Sequence, residues 1–264
     1  MNQYQTERRL GWCYLWVSLL VGVSLICIAI PYIHWRTTLD VCPGGYFENT
    51  NCGCILFGVS TYNYFNGGHN SYCLYTLFAP LPVLVYAVVM ALFHMYRVCI
   101  NNIGQYEDEK STTMEEIEGE SIVVSTRTRV SRQNDSVIYC WIPTSCIGAI
   151  FAIYSIVHAS ILTAGFMKTC TQYRGYLVSR VFGASGDHAS AIHFRLSCQA
   201  IFDFMDYLLK DAPNSRRGDM INTGVALQIA IIASWVAVAT WISIVFYTAS
   251  RAYRERRVLT CCGN

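Results

Sequence analysis

Apolar positions in this chain gather into four long blocks, separated by stretches rich in polar residues, cysteine and charge. Residues 12–33 carry no charged side chain. Residues 77–100 carry only His94 and Arg97, both near one end. Residues 137–167 contain His158 as the sole titratable group apart from Tyr and Cys, and residues 220–250 hold no charge between Ile221 and Ala249. A helix needs about 20 mainly apolar residues to cross a hydrocarbon layer roughly 30 Å thick. Each block therefore predicts a transmembrane helix, and the whole chain, residues 1–264, reads as a single four-span membrane domain. A cleaved signal peptide fits the first block poorly. Its apolar run is too long for a typical signal core, and no small-residue cleavage site follows it.

The connecting segments differ from one another. Residues 34–76 form the first loop, 101–136 the middle loop, 168–219 the last loop and 251–264 the tail. Lys and Arg set orientation through their excess on the cytosolic side. The two short ends, with Arg8 and Arg9 at one and Arg251, Arg254, Arg256 and Arg257 at the other, place both termini in the cytosol. Cysteine usage gives the same sidedness. The first loop carries Cys42, Cys52, Cys54 and Cys73, the last carries Cys170 and Cys198, and the middle loop carries none. Even numbers in the exposed loops suit disulfides in an oxidising compartment, and a plasma-membrane location is expected.

From Cys54 to Tyr75 the chain reads as a hairpin, with Asn66-Gly67-Gly68 as its turn. A Cys54–Cys73 bond would staple it and leave Cys42 with Cys52; the exchanged pairing stays open, because Cys52 and Cys54 are so close. Cys170 and Cys198 are expected to pair. Residues 196–210 place Ile201, Phe204, Met205, Leu208 and Leu209 on one face of an amphipathic helix, with Asp203, Asp206 and Lys210 off it. The middle loop, acidic over residues 106–120 and then rich in Ser, Thr and Arg, is expected to be disordered. Thr112, Thr113, Ser125 and Ser131 are candidate phosphorylation sites. Phosphate there would weaken the attraction of Arg127, Arg129 and Arg132 to anionic lipid. Cys261 and Cys262, beyond a basic stretch, are candidates for S-palmitoylation.

Composition narrows the function. Of the 264 residues 53% are hydrophobic and 14% charged, about half the usual charged share, and the net charge of +2 gives no basis for nucleic-acid binding. Asp187, His188, His193 and Cys198 are of metal-ligating type but match no metal spacing. No catalytic constellation, cofactor motif or phosphate loop is recognisable, so a non-enzymatic protein without metal or cofactor is expected. Read from Trp12, the spans offer no carboxylate, and His94 and His158 are assigned to hydrogen bonding between helices. Small residues at helical spacing mark packing seams: Ser18 with Gly22, Gly148 with Ala152, Ser155 with Ala159, and Ala226, Ala230 and Ser234.

Several short motifs recur in a recognisable order: Cys54-Ile55-Leu56-Phe57, Cys73, Gly165-Phe166-Met167 with Cys170, Ser197-Cys198, Ala233-Ser234-Trp235, and Tyr253-Arg254. In these the chain resembles the transmembrane protein 179 family, a claudin-like group of four-span proteins. The resemblance implies a membrane all-α, left-handed four-helix bundle topped by a small disulfide-stapled extracellular β-sheet. It departs in the pair Cys42 and Cys52, the long acidic middle loop, the tail cysteines and the lack of the claudin Gly-Leu-Trp signature. The expected role is that of an accessory or adhesion protein, such as an auxiliary subunit of an ion channel or receptor, with the lipid bilayer and a membrane-protein partner or a second copy as its contacts. A claudin-like junctional or pore-forming protein is the alternative, and a transporter the weaker one.

Overall fold

The structure, a computed structural model, describes residues 3–36, 39, 52–60, 65–99, 112–117, 120–125, 138–181, 196–208 and 221–262. In chain order these form α1 (Gln3–Arg36), β1 (Cys54–Ser60), β2 (Phe65–Gly68), α2 (Asn70–Phe78), α3 (Pro80–Cys99), β3 (Thr112–Ile117), β4 (Glu120–Ser125), α4 (Ile138–Val181), α5 (Cys198–Leu208) and α6 (Thr223–Cys262). Four stretches are long and apolar enough to cross a membrane: Gln5–Arg36, Asn70–Cys99, Trp141–Ser179 and Thr223–Tyr253. Only 28% to 39% of the apolar window in each is buried. On α1, Trp16, Leu19, Val23, Ile26, Ile30 and Ile33 form an exposed stripe at helical spacing. Exposed apolar surface on that scale belongs in lipid rather than water. The chain is a multi-pass membrane protein.

The helices outrun the apolar blocks that predict them. α1 begins nine residues before Trp12, because Gln5 to Arg9 are compatible with helix although too polar to be read as span. The second span begins at Asn70, so Cys73 lies on a helix and not in a loop. α4 continues past residue 167 because Cys170, Tyr173 and Leu177 bury one face while Lys168, on the other, remains exposed.

The chain divides into two compact units. One, called here the disulfide unit, comprises Trp16–Tyr86 and Ile150–Trp241; the other, the tail unit, comprises Met1–Leu15, Ala87–Ala149 and Ile242–Asn264. In the disulfide unit, segments of four helices pack together. Tyr86 of α3 and Trp241 of α6 both lie against Phe151 of α4, with ring centroids 4.9 and 5.5 Å away. Ser24 of α1 is 2.9 Å from Ser234 and 3.2 Å from the Ala230 carbonyl of α6. The expected seam residues Ala230 and Ser234 are thus in contact with α1, whereas Gly22 faces open space.

The hairpin β1–β2 also belongs to this unit, but Asn66-Gly67-Gly68 is not its turn. These residues lie in β2, paired antiparallel with β1 in the register Cys54↔Gly68, Val59↔Asn66 and Ser60↔Phe65. The glycines answer to close backbone approach. A Cβ on Gly67 would fall 2.1 Å from the Cys52 carbonyl oxygen, and one on Gly68 2.1 Å from that of Leu56.

In the tail unit, β3 and β4 pair antiparallel from Thr112↔Ser125 to Ile117↔Glu120. This corrects the expectation of disorder across the whole middle loop. Its charge dominates the composition, yet Ile117, Ile122, Val123 and Val124 supply strand-favouring residues.

Candidate functional site

The disulfide unit is organised around β1. Between Cys54 and Val59 the register shifts, so the strand bulges and loses ladder partners there. Thr169 of α4 replaces them: its hydroxyl accepts from the Gly58 N–H at 2.9 Å and donates to the Ile55 carbonyl at 2.8 Å. Gln172 adds an acceptor for the Ser60 N–H at 3.2 Å. Within the bulge Phe57 has φ of 60°, a left-handed conformation costly for a bulky side chain. Its ring packs at a tilt against Tyr72, centroids 4.4 Å apart, and lies 5.8 Å from Lys168 Nζ. Gly165 makes the room, since a Cβ there would come within 2.9 Å of the Phe57 ring.

Among the described residues, the bonds Cys54–Cys73 and Cys170–Cys198 close this head. The first joins β1 to α2 and removes the exchanged alternative for Cys54; the second joins α4 to α5. Cys52 is also disulfide-bonded. Cys42 lies outside the described residues.

The amphipathic helix is present as α5, with its buried face one position round from the expected one. Ile201, Phe202, Met205 and Asp206 are buried, while Phe204 is 45% exposed. Leu209 and Lys210 lie outside the described residues. Packing against α6 decides this rotation. A Cβ on Gly224 would come within 3.1 Å of the Gln199 carbonyl oxygen and 3.2 Å of Phe202, so α5 rests directly on the start of α6. Asp206 then meets the N-terminus of α6, where its Oδ2 accepts the Thr223 N–H at 2.8 Å. That position suits a carboxylate, because helix N-termini present unpaired N–H groups and a positive dipole end. Trp35 of α1 donates to the Thr223 hydroxyl at 2.9 Å, which draws three helices into one buried network. Burial pushes the Asp206 carboxyl above its ordinary range, against the opposing pull of the Thr223 hydrogen bonds and His34.

Deeper in the same unit a cavity is lined by residues from four helices, among them Ser24, Pro80, Tyr154, Ser155, His158 and Ser234. About 20 Å³ is open to a water centre, room for one or two waters and too little for a solute. His158 is 6% exposed and its Nε2 lies 3.0 Å from the Thr76 carbonyl oxygen. That is the interhelical hydrogen bond expected of it.

The tail unit contains the feature that reading the sequence missed. Glu7 of α1 is 1% exposed. Its Oε1 is 2.9 Å from Arg97 Nη1, an ion-pair contact rather than an aligned hydrogen bond, and its Oε2 is 3.4 Å from His94 Nδ1. Tyr14 stacks on the His94 ring at 5.6 Å, and Gly11 lets α3 approach, with His94 and Met95 3.4 Å from where a Cβ would stand. His94 therefore has a carboxylate partner, which lies outside the uncharged block starting at Trp12. Spacing could have revealed it: Glu7, Gly11 and Tyr14 lie at i, i+4 and i+7 on one helical face.

The remaining candidates are dispersed. Thr112 pairs with Ser125, and Thr113 with Val124, in β3–β4, while Cys261 and Cys262 end α6. Ser131, Arg127, Arg129, Arg132, Asp187, His188 and His193 lie outside the described residues. Comparison of the chain with family models, curated proteins and solved structures finds no match.

Proposed function

We propose that this chain is a non-enzymatic accessory protein of the membrane, holding a channel, a receptor or an adhesion partner through the disulfide-closed head. The observation that carries this reading is a head tied together by disulfides and buried polar contacts. Two disulfides, the Thr169 bridge and the Asp206–Thr223–Trp35 network fix β1 and α5. Around them Val59, Tyr72 and Phe204 remain exposed. Rigid aromatic groups on an ordered platform suit binding, because little side-chain freedom is lost on association.

On this reading the head is extracellular, both termini are cytosolic and the protein resides in the plasma membrane. Membership of the transmembrane protein 179 family, on the motifs quoted above, is part of the proposal, as are palmitoylation of Cys261 and Cys262 and phosphorylation of the middle loop. Two other readings have their own support. Four spans with a stapled hairpin suit a claudin-like junctional or pore-forming assembly. The Glu7–His94–Arg97 cluster suits transport, since ionisable groups at membrane depth often mark ion pathways.

Cross-linking and affinity purification from native membranes separate the three. Recovery of a heterologous channel or receptor supports the accessory role, and self-assembled strands support the junctional one. Substantial ion flux through the purified protein alone in liposomes overturns the accessory reading.

A further inference from the structure

Proline at position 80 has a consequence four residues earlier. In a regular helix the N–H of residue 80 would bond to the carbonyl of residue 76, and proline has no N–H to give. The neighbouring bond is intact, with the Ala79 N–H donating to the Tyr75 carbonyl at 2.8 Å. The Thr76 carbonyl is left without its helical donor where α2 gives way to α3, and Thr76 is fully buried. An unpaired carbonyl at that depth is costly. His158 of α4 meets it, with Nε2 3.0 Å from the oxygen. A carbonyl only accepts, so Nε2 carries the proton. The Thr76 hydroxyl is no substitute, because it donates back to Tyr72 and Cys73.

At its other end α2 is tethered to β1 by Cys54–Cys73, and both His158 and Pro80 line the small cavity. We propose that α2 is a lever, hinged at Ala79–Pro80 and latched by His158, which mechanically couples the hairpin to the helix interior. With the latch made, α2 and, through Cys54–Cys73, β1 are held against α4. With it broken, α2 swings at Ala79–Pro80 and, through Cys54–Cys73, pulls on the Thr169 and Gln172 bonds that seat β1 on α4. The inference stands apart from the identity of any partner.

Hydrogen exchange of the full-length protein in lipid nanodiscs tests it through a double-mutant cycle. His158→Leu should accelerate exchange in residues 72–78 about tenfold, with a smaller rise in residues 54–60. Pro80→Ala restores an N–H for the Thr76 carbonyl, so His158→Leu on that background should change exchange less than about twofold. Equal effects on both backgrounds, or none on either, would overturn the latch. A rise confined to residues 72–78 would overturn the coupling to the hairpin. Should His158→Leu fail to accumulate in the membrane, normal accumulation of the double variant supports the latch. Failure of both variants overturns it.

Discussion

The disulfide unit and the tail unit solve the same problem, holding apolar helices together without water to drive them, by different means. In the disulfide unit the described polar contacts are largely neutral: Ser24 with Ser234, Trp35 with Thr223, His158 with a carbonyl. Covalent bonds supplement them. In the tail unit the free cysteines Cys13, Cys99 and Cys146 stay unpaired, and a buried carboxylate shared by Arg97 and His94 takes the central place. Lipid offers helices no hydrophobic reason to associate, so each unit depends on directional contacts. The two should therefore respond to different insults: one to reductant, the other to loss of a single charge.

The largest separation is expected from the disulfides. Replacing Cys54 and Cys73 by Ser opens a 19-residue separation and should cost the disulfide unit about 3 kcal/mol on the chain-entropy estimate. Thermal unfolding followed by domain-resolved hydrogen exchange should show the loss there while the tail unit is unmoved. Glu7→Gln should do the converse. Removing one member of a buried ion pair leaves its partner uncompensated. Because Arg97 is 17% exposed and reaches toward solvent, a cost of about 2 kcal/mol is expected, confined to the tail unit. Equal loss in both units would break the comparison.

Ser234→Ala removes one interhelical hydroxyl contact with Ser24 and should cost about 0.6 kcal/mol, the usual scale for such bonds in membranes. The smallest effect concerns pH. Burial holds the Asp206 pKa above its unfolded value, so between the two values the folded chain binds more protons. Its contribution to stability is full below the unfolded value and is lost as pH rises through the raised one. Mild acid should thus stabilise the disulfide unit, and Asp206→Asn should flatten that dependence in pH-resolved unfolding.

How far the sequence could be read depended on whether a feature is one-dimensional. Span number was legible because lipid demands long apolar runs, which show directly in residue order. Glu7 was hidden because the first block was bounded at Trp12, beyond Glu7, Arg8 and Arg9, whereas a helix can bury a polar residue on an inward face. On α5, two overlapping faces that share Ile201 and Met205 both look amphipathic. Gly224, on another helix, selects the one with Phe202 and Asp206 buried and Phe204 out. Asn66-Gly67-Gly68 was misread because glycine serves both tight turns and close strands. Pro80 was the missed opportunity: any proline in a span frees the carbonyl four residues before it, and a histidine in another span is a natural donor to seek.

All of this requires the disulfide-bearing head to face the oxidising side of the membrane. Staining of intact cells for an epitope inserted within residues 40–51, alongside tags at each terminus, tests that requirement directly. The inserted epitope should stain without permeabilisation and both termini only after it. Terminal tags visible on intact cells, with the inserted epitope hidden, would contradict the account.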